Sequence, residues 1–93
     1  MKIKIFSQEP TRTFAIIFDP GEEVASRLLE FARDNQVASA SFTAIGAFSE
    51  VTLGYFDLSR KDYKRIPIRE QVEVLSLLGN IAVHDNEPKL HAH

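Results

Sequence analysis

The sequence predicts an α+β domain in which a single amphipathic helix packs on strands. Three observations predict it. One stretch repeats its apolar residues with helical period, between about 20 and 35. Short apolar or alternating runs recur through the rest of the chain, separated by Gly, Pro, Asn and Asp. At 93 residues the chain can build one modest core.

Ile3 and Ile5 alternate with Lys2 and Lys4, the pattern of a short, half-exposed strand. Pro10 and Thr11-Arg12-Thr13 form a turn. Phe14-Ala15-Ile16-Ile17-Phe18 then reads as a buried central strand, being continuously apolar and rich in β formers. Asp19 stands as a helix N-cap, with Pro20 at the first helical position and Glu22 and Glu23 in the first turn. The helix is predicted to run to Asp34 or Asn35. Val24, Leu28, Phe31 and Ala32 make its stripe, which Ala25 and Leu29 widen, while Glu23, Arg27, Glu30, Arg33 and Asp34 face water.

Val37 to Phe48 reads as a strand, with Gly46 marking a bulge or a close backbone approach. Val51 to Leu58 is the next strand. A tip at Ser59–Asp62 turns into Tyr63 to Ile68, where Pro67 places the strand at a sheet edge or ends it. Gln71 to Leu78 follows, then Gly79-Asn80 as a turn or bulge, and Ile81 to His84 as renewed strand. Asp85-Asn86-Glu87-Pro88 is read as a turn, and Lys89 to His93 as the last strand.

Composition excludes several classes. A hydrophobic share of 44% beside 26% charged residues suits a soluble globular domain. No apolar run approaches bilayer length, and the first residues have no secretory h-region. The absence of cysteine removes disulfides, thiolate metal sites and thiol catalysis, and makes the cytoplasm the expected address. Net charge is −2, with the two signs interleaved. The one basic cluster, Arg60-Lys61-Asp62-Tyr63-Lys64-Arg65, reads as a solvated hairpin tip, so electrostatics argues against direct DNA binding.

All three histidines fall between His84 and His93. His91 and His93 are i and i+2 on a strand and so share a face, roughly 6–7 Å apart. If the Asp85–Pro88 turn folds His84 back beside them, three imidazoles converge on one divalent transition ion. Zn²⁺ is the first choice, with Ni²⁺, Co²⁺ and Cu²⁺ also compatible. Three protein ligands leave a tetrahedral position open, the arrangement of catalytic zinc. Glu73, Asp85 and Glu87 are the carboxylates near enough in sequence to act as a base. Asp85 or Asn80 could orient His84. No catalytic residue is assigned, and Ser76 has no reason to meet a particular histidine.

Three segments together resemble the PPC (plants and prokaryotes conserved) domain: Ala44 to Asp57 (Ala-Ile-Gly-Ala-Phe-Ser-Glu-Val-Thr-Leu-Gly-Tyr-Phe-Asp), Glu73 to Ile81 (Glu-Val-Leu-Ser-Leu-Leu-Gly-Asn-Ile) and Pro88-Lys-Leu-His-Ala-His93. The resemblance implies a largely antiparallel mixed sheet with one helix packed on it, and assembly into homotrimers. It also implies zinc on His84, His91 and His93. Plant members join the domain to an AT-hook with an Arg-Gly-Arg core, which this chain lacks. Where those members carry Gly-Arg-Phe-Glu-Ile-Leu, this chain has Glu70 to Leu75 and matches only at Glu73 and Leu75. The family continues past its His-x-His with further strand, so the chain is expected to lack C-terminal strands. Two functions follow as expectations. The first is a metal-binding, oligomerising module with a binding or regulatory role, open to a small-molecule ligand, and a DNA-binding protein by analogy with the family's free-standing prokaryotic members, although without an AT-hook. The second is a zinc-dependent hydrolase or lyase acting on a small molecule.

Overall fold

The computed structural model describes all 93 residues and bears out the α+β class, with seven strands and one helix. In chain order these are β1 (Lys2–Ser7), β2 (Thr13–Ile17), α1 (Val24–Asp34), β3 (Ser39–Phe48), β4 (Val51–Asp57), β5 (Asp62–Ile68), β6 (Val72–His84) and β7 (Glu87–Ala92). The strands form two antiparallel pairs, β1–β2 and β4–β5, and a three-stranded sheet in the order β3-β6-β7. The residues group into two compact units, Met1–Ala40 with Ile81–Leu90, and Ser41–Asn80 with His91–His93.

In the first unit, β1 pairs with β2 from Lys2↔Ile17 to Ile5↔Phe14, then slips by one residue before Ser7↔Thr13. The apolar run in β2 is half-buried rather than central: its sheet has only two strands, and Ile17 is largely exposed. The predicted stripe on α1 is buried at Leu28, Phe31 and Ala32, joined by Ile81. Phe31 meets Phe14 edge-on, with ring centroids 5.0 Å apart.

The helix starts four residues later than Asp19 would have it. Gly21 takes φ +91, a conformation natural to glycine, and Asp19–Glu22 close into a turn through Glu22 N–H to the Asp19 carbonyl. Glu23 becomes the N-cap, its carboxylate accepting from the N–H groups of Ser26 (2.8 Å) and Ala25 (3.2 Å). Those bonds, Ser26 first, lower its pKa.

Asp19 and Glu22 serve another end of the chain. The Met1 ammonium donates to Asp19 Oδ2 at 2.7 Å and to Glu22 Oε1 at 3.3 Å, and Glu22 also accepts from the Asp19 N–H and from Arg27 Nε. The bond to Asp19, against some desolvation, raises the ammonium pKa above its ordinary 8.0. The Asp19 N–H lowers that of Glu22 below 4.5. A raised ammonium pKa contributes stability that is whole below pH 8 and lost as pH climbs through the folded value. A lowered carboxyl pKa contributes stability that is whole above pH 4.5 and lost as pH falls through the folded value. Thermal midpoints followed by helix ellipticity should therefore show a plateau between those limits and decline on both sides.

At its other end α1 closes in a Schellman arrangement: Val37 N–H bonds the Ala32 carbonyl and Gln36 N–H the Arg33 carbonyl. This draws Val37 out of the following strand, which begins at Ser39. Gln36 pays the left-handed conformation, φ +54, that glycine usually supplies. Gln36→Gly should accordingly raise stability by about 0.5–1 kcal/mol in denaturant titration. An unchanged or lower midpoint would contradict this account.

In the second unit, β4 and β5 pair in one unbroken register from Val51↔Ile68 to Asp57↔Asp62. Pro67 lies within β5, on a two-stranded sheet where every strand has a free edge, as its missing N–H requires. The tip is held by Asp57, whose Oδ1 accepts from the Ser59 hydroxyl at 2.7 Å and the Ser59 N–H at 3.0 Å. Gly46, the predicted bulge in β3, takes φ +154. Gly79-Asn80 does not turn the chain: β6 runs through it for 13 residues. A Cβ on Gly79 would fall 2.8 Å from the His91 carbonyl oxygen and closer still to the tip of the Phe42 ring. The glycine is there because two neighbours occupy the space a side chain would need.

Candidate metal centre

The chain reverses at Asp85 and Asn86, both left-handed with φ +53 and +63, so the connection is a two-residue I′-type turn. The strand resumes at Glu87 and carries Pro88, two residues earlier than a four-residue Asp85–Pro88 turn would allow. A two-residue loop sets Glu87 opposite His84. The His84 Nε2 lies 3.3 Å from Asp85 Oδ2, with both side chains well exposed. Glu87 accepts instead from Arg33 Nη2 of α1 at 3.0 Å. Of the three carboxylates considered as bases, Asp85 stands beside His84 and Glu87 is engaged by Arg33.

His91 and His93 belong to the second unit. His93 exchanges both backbone bonds with Leu78: its N–H reaches the Leu78 carbonyl at 2.7 Å, and the Leu78 N–H reaches its carbonyl at 2.9 Å. The last residue is thereby fastened to β6 as one closed rung of a ladder, rather than fraying. Gly79, next to Leu78, admits the His91 carbonyl at close range. With the backbone fixed on both sides, the two rings share a face as their i, i+2 spacing predicts. Their Nε2 atoms stand 3.1 Å apart, with ring centroids at 5.0 Å and planes at 65°.

That approach allows two chemical states. A neutral pair can share one hydrogen bond, with one ring donating N–H and the other accepting. Alternatively both lone pairs can address one cation. Two nitrogens at about 2.0–2.1 Å on a tetrahedral zinc would be about 3.3 Å apart, so the spacing of the two donors matches that of a shared ion. The structure gathers no group of three His, Cys, Asp or Glu placed to hold a metal. It brings together His91 and His93, and sets His84 against Asp85. Sequence reasoning missed the supporting roles of Leu78 and Gly79, because Gly79-Asn80 reads as a turn or bulge between two strand segments.

An α+β domain with a histidine pair clamped on an edge strand is the class these features define. The chain belongs to the Plants and Prokaryotes Conserved (PCC) domain family, which matches residues 6–93. Among solved structures it is similar to a metal-containing protein from Archaeoglobus fulgidus, at 32% identity and TM-score 0.77, covering 81% of this chain and 54% of that one. A plant- and prokaryote-conserved (PPC) protein from Pyrococcus horikoshii is similar at 33% identity and TM-score 0.78, over 81% of this chain and 52% of that one. A candidate DNA-binding protein from Bacteroides thetaiotaomicron is similar at 28% identity and TM-score 0.80, over 97% of this chain and 62% of that one. The chain thus spans between about half and three fifths of the length of these proteins. No curated protein matches it significantly. No helix is long and apolar enough to cross a membrane.

Proposed function

We propose that this domain is a metal-binding, self-associating module with a binding or regulatory role, in which His91 and His93 ligate a divalent transition ion, Zn²⁺ first. The observation that carries the reading is the 3.1 Å approach of their Nε2 atoms on a backbone locked by Leu78. The metal-containing relative from Archaeoglobus fulgidus supports it. His84 enters as a further ligand on the family resemblance alone. When bound, the ion would supply a fixed positive charge and a Lewis-acidic position open to a small ligand. The protein's own contribution is to hold two imidazole nitrogens close together on one face.

Self-association is supported by large apolar side chains left open on the strands, among them Ile45 and Leu75, and three copies is the number the family resemblance suggests. A role on DNA is argued against by the net charge of −2 and the missing Arg-Gly-Arg core, although a similar protein is a candidate DNA binder.

The test is metal content after loading with Zn²⁺ and removing excess ion. The double variant His91→Ala/His93→Ala should lose the bound metal while keeping the α1 ellipticity. His84→Ala alone should weaken affinity without abolishing binding. Unchanged stoichiometry in the double variant would sink the assignment.

A further inference from the structure

We infer that Asn80 is a positioning residue of the histidine pair, its side-chain amide holding the His91 ring through Nδ1 so that Nε2 stays turned toward His93. The inference rests on the metal centre proposed above and adds a group to it.

The register of β6 against β7 places Asn80 there. Leu78 and His93 exchange both backbone bonds, so they are a directly opposed, hydrogen-bonded pair. Moving two residues along each strand in opposite directions sets Asn80 across from His91. The two-residue turn at Asp85-Asn86 gives the same count independently, since it opposes His84 to Glu87. The His91 carbonyl beside Gly79, which directly precedes Asn80, agrees with it. Opposed residues project to the same face, with Cβ atoms about 4.5–5.5 Å apart. Burial follows this division: Leu78, Asn80, His91 and His93 are exposed, while Gly79 and Ala92 are half-buried.

The two rings therefore have different neighbours across the ladder. Leu78 offers His93 no polar atom. Asn80 offers His91 a carbonyl oxygen and an NH2 group. On an imidazole, Nδ1 lies nearer its own Cβ than Nε2 does, and the Asn amide is as short. Across such a gap the amide reaches Nδ1 rather than the ligating Nε2, which makes Asn80 a group that orients a ligand. The sequence suggested Asn80 as a partner for His84. The strand instead carries it four residues away from His84 and sets it opposite His91.

The chemistry of the pair makes an amide useful at this position. A neutral imidazole has one N–H. When the rings share a hydrogen bond, the donating ring carries its proton on Nε2 and has a bare lone pair at Nδ1. When both Nε2 atoms bind an ion, both protons sit on Nδ1 and call for acceptors. By turning over, one amide donates to Nδ1 in the first state and accepts from it in the second. A leucine does neither. A carboxylate only accepts, which favours the ligating tautomer.

The test joins zinc affinity, measured by competition with a chelator, to nitrogen NMR of the histidine rings in metal-free protein. Helix ellipticity serves as the folding control. Asn80→Leu should weaken Zn²⁺ binding about tenfold or more and change the tautomer balance of His91. Asn80→Asp should bind zinc at least as tightly as wild type and shift metal-free His91 toward Nδ1–H. A wild type that binds no zinc would sink the metal centre and this role with it. Zinc binding that survives Asn80→Leu, with the His91 nitrogen signals unmoved, would sink the role of Asn80 alone. Weaker zinc binding with unmoved His91 signals would overturn it too, because the loss would not then act through the ring.

Discussion

Gly79→Ala is expected to destabilise the protein by about 1–3 kcal/mol, the usual cost of forcing a methyl group into filled space. The sign is the informative part. Where nothing opposes the added carbon, Gly→Ala within a strand or helix stabilises by about 0.4–1 kcal/mol, because it narrows the unfolded ensemble. At position 79 the added carbon would stand 2.8 Å from the His91 carbonyl oxygen and against the Phe42 ring. The ring can rotate away. The carbonyl is backbone and can move only by shifting β7 at His91. Shortening the ring with Phe42→Leu should therefore recover part of the loss and leave the rest. Denaturant titration of the single and double variants measures both shares. A Gly79→Ala protein as stable as wild type would show that the close approach is not maintained in solution. Because the displaced carbonyl belongs to His91, the same variant should also bind Zn²⁺ more weakly.

The second large effect lies in the other unit. Phe31→Ala should cost about 3–5 kcal/mol, since it removes a ring only 8% exposed and leaves a cavity beside Phe14. A domain of this size has about 5–15 kcal/mol in total, so the variant would stand near its stability limit. At roughly 4–8 °C per kcal/mol, the melting midpoint should fall by more than about 12 °C. Phe31→Leu, which keeps most of the volume, should lose much less. Equal losses in the two variants would mean that the packing of Phe14 against Phe31 contributes little.

What the sequence disclosed, and what it withheld, follows from the range of the forces involved. The stripe of Leu28, Phe31 and Ala32 was legible because helical period is a local property, and burial then follows from it. The shared face of His91 and His93 was legible for the same reason, strand alternation being just as local. The helix start was misread because Asp19-Pro20 carries every conventional signal, while Gly21 turns the chain once more and leaves capping to Glu23, a less usual residue for the task. Of the turn or bulge that Gly79-Asn80 predicts, the turn does not form, because a glycine that makes a turn and one that admits a neighbour look alike until the neighbour is known. The fate of His84 depended on whether the turn holds two residues or four. Asp85 and Asn86 settle that by both adopting left-handed conformations, which these residue types tolerate but do not dictate.

The grip of Asp19 and Glu22 on the first residue has a practical side. Acetylating Met1, or fusing a purification tag ahead of it, replaces an ammonium with a neutral amide. Asp19 would lose its partner, and Glu22 would keep Arg27 as its only cationic one. Two carboxylates would then face each other with half their compensation gone, directly ahead of the helix. Protein prepared with a tag at that end should melt at a lower temperature than protein from which the tag has been cleaved back to Met1.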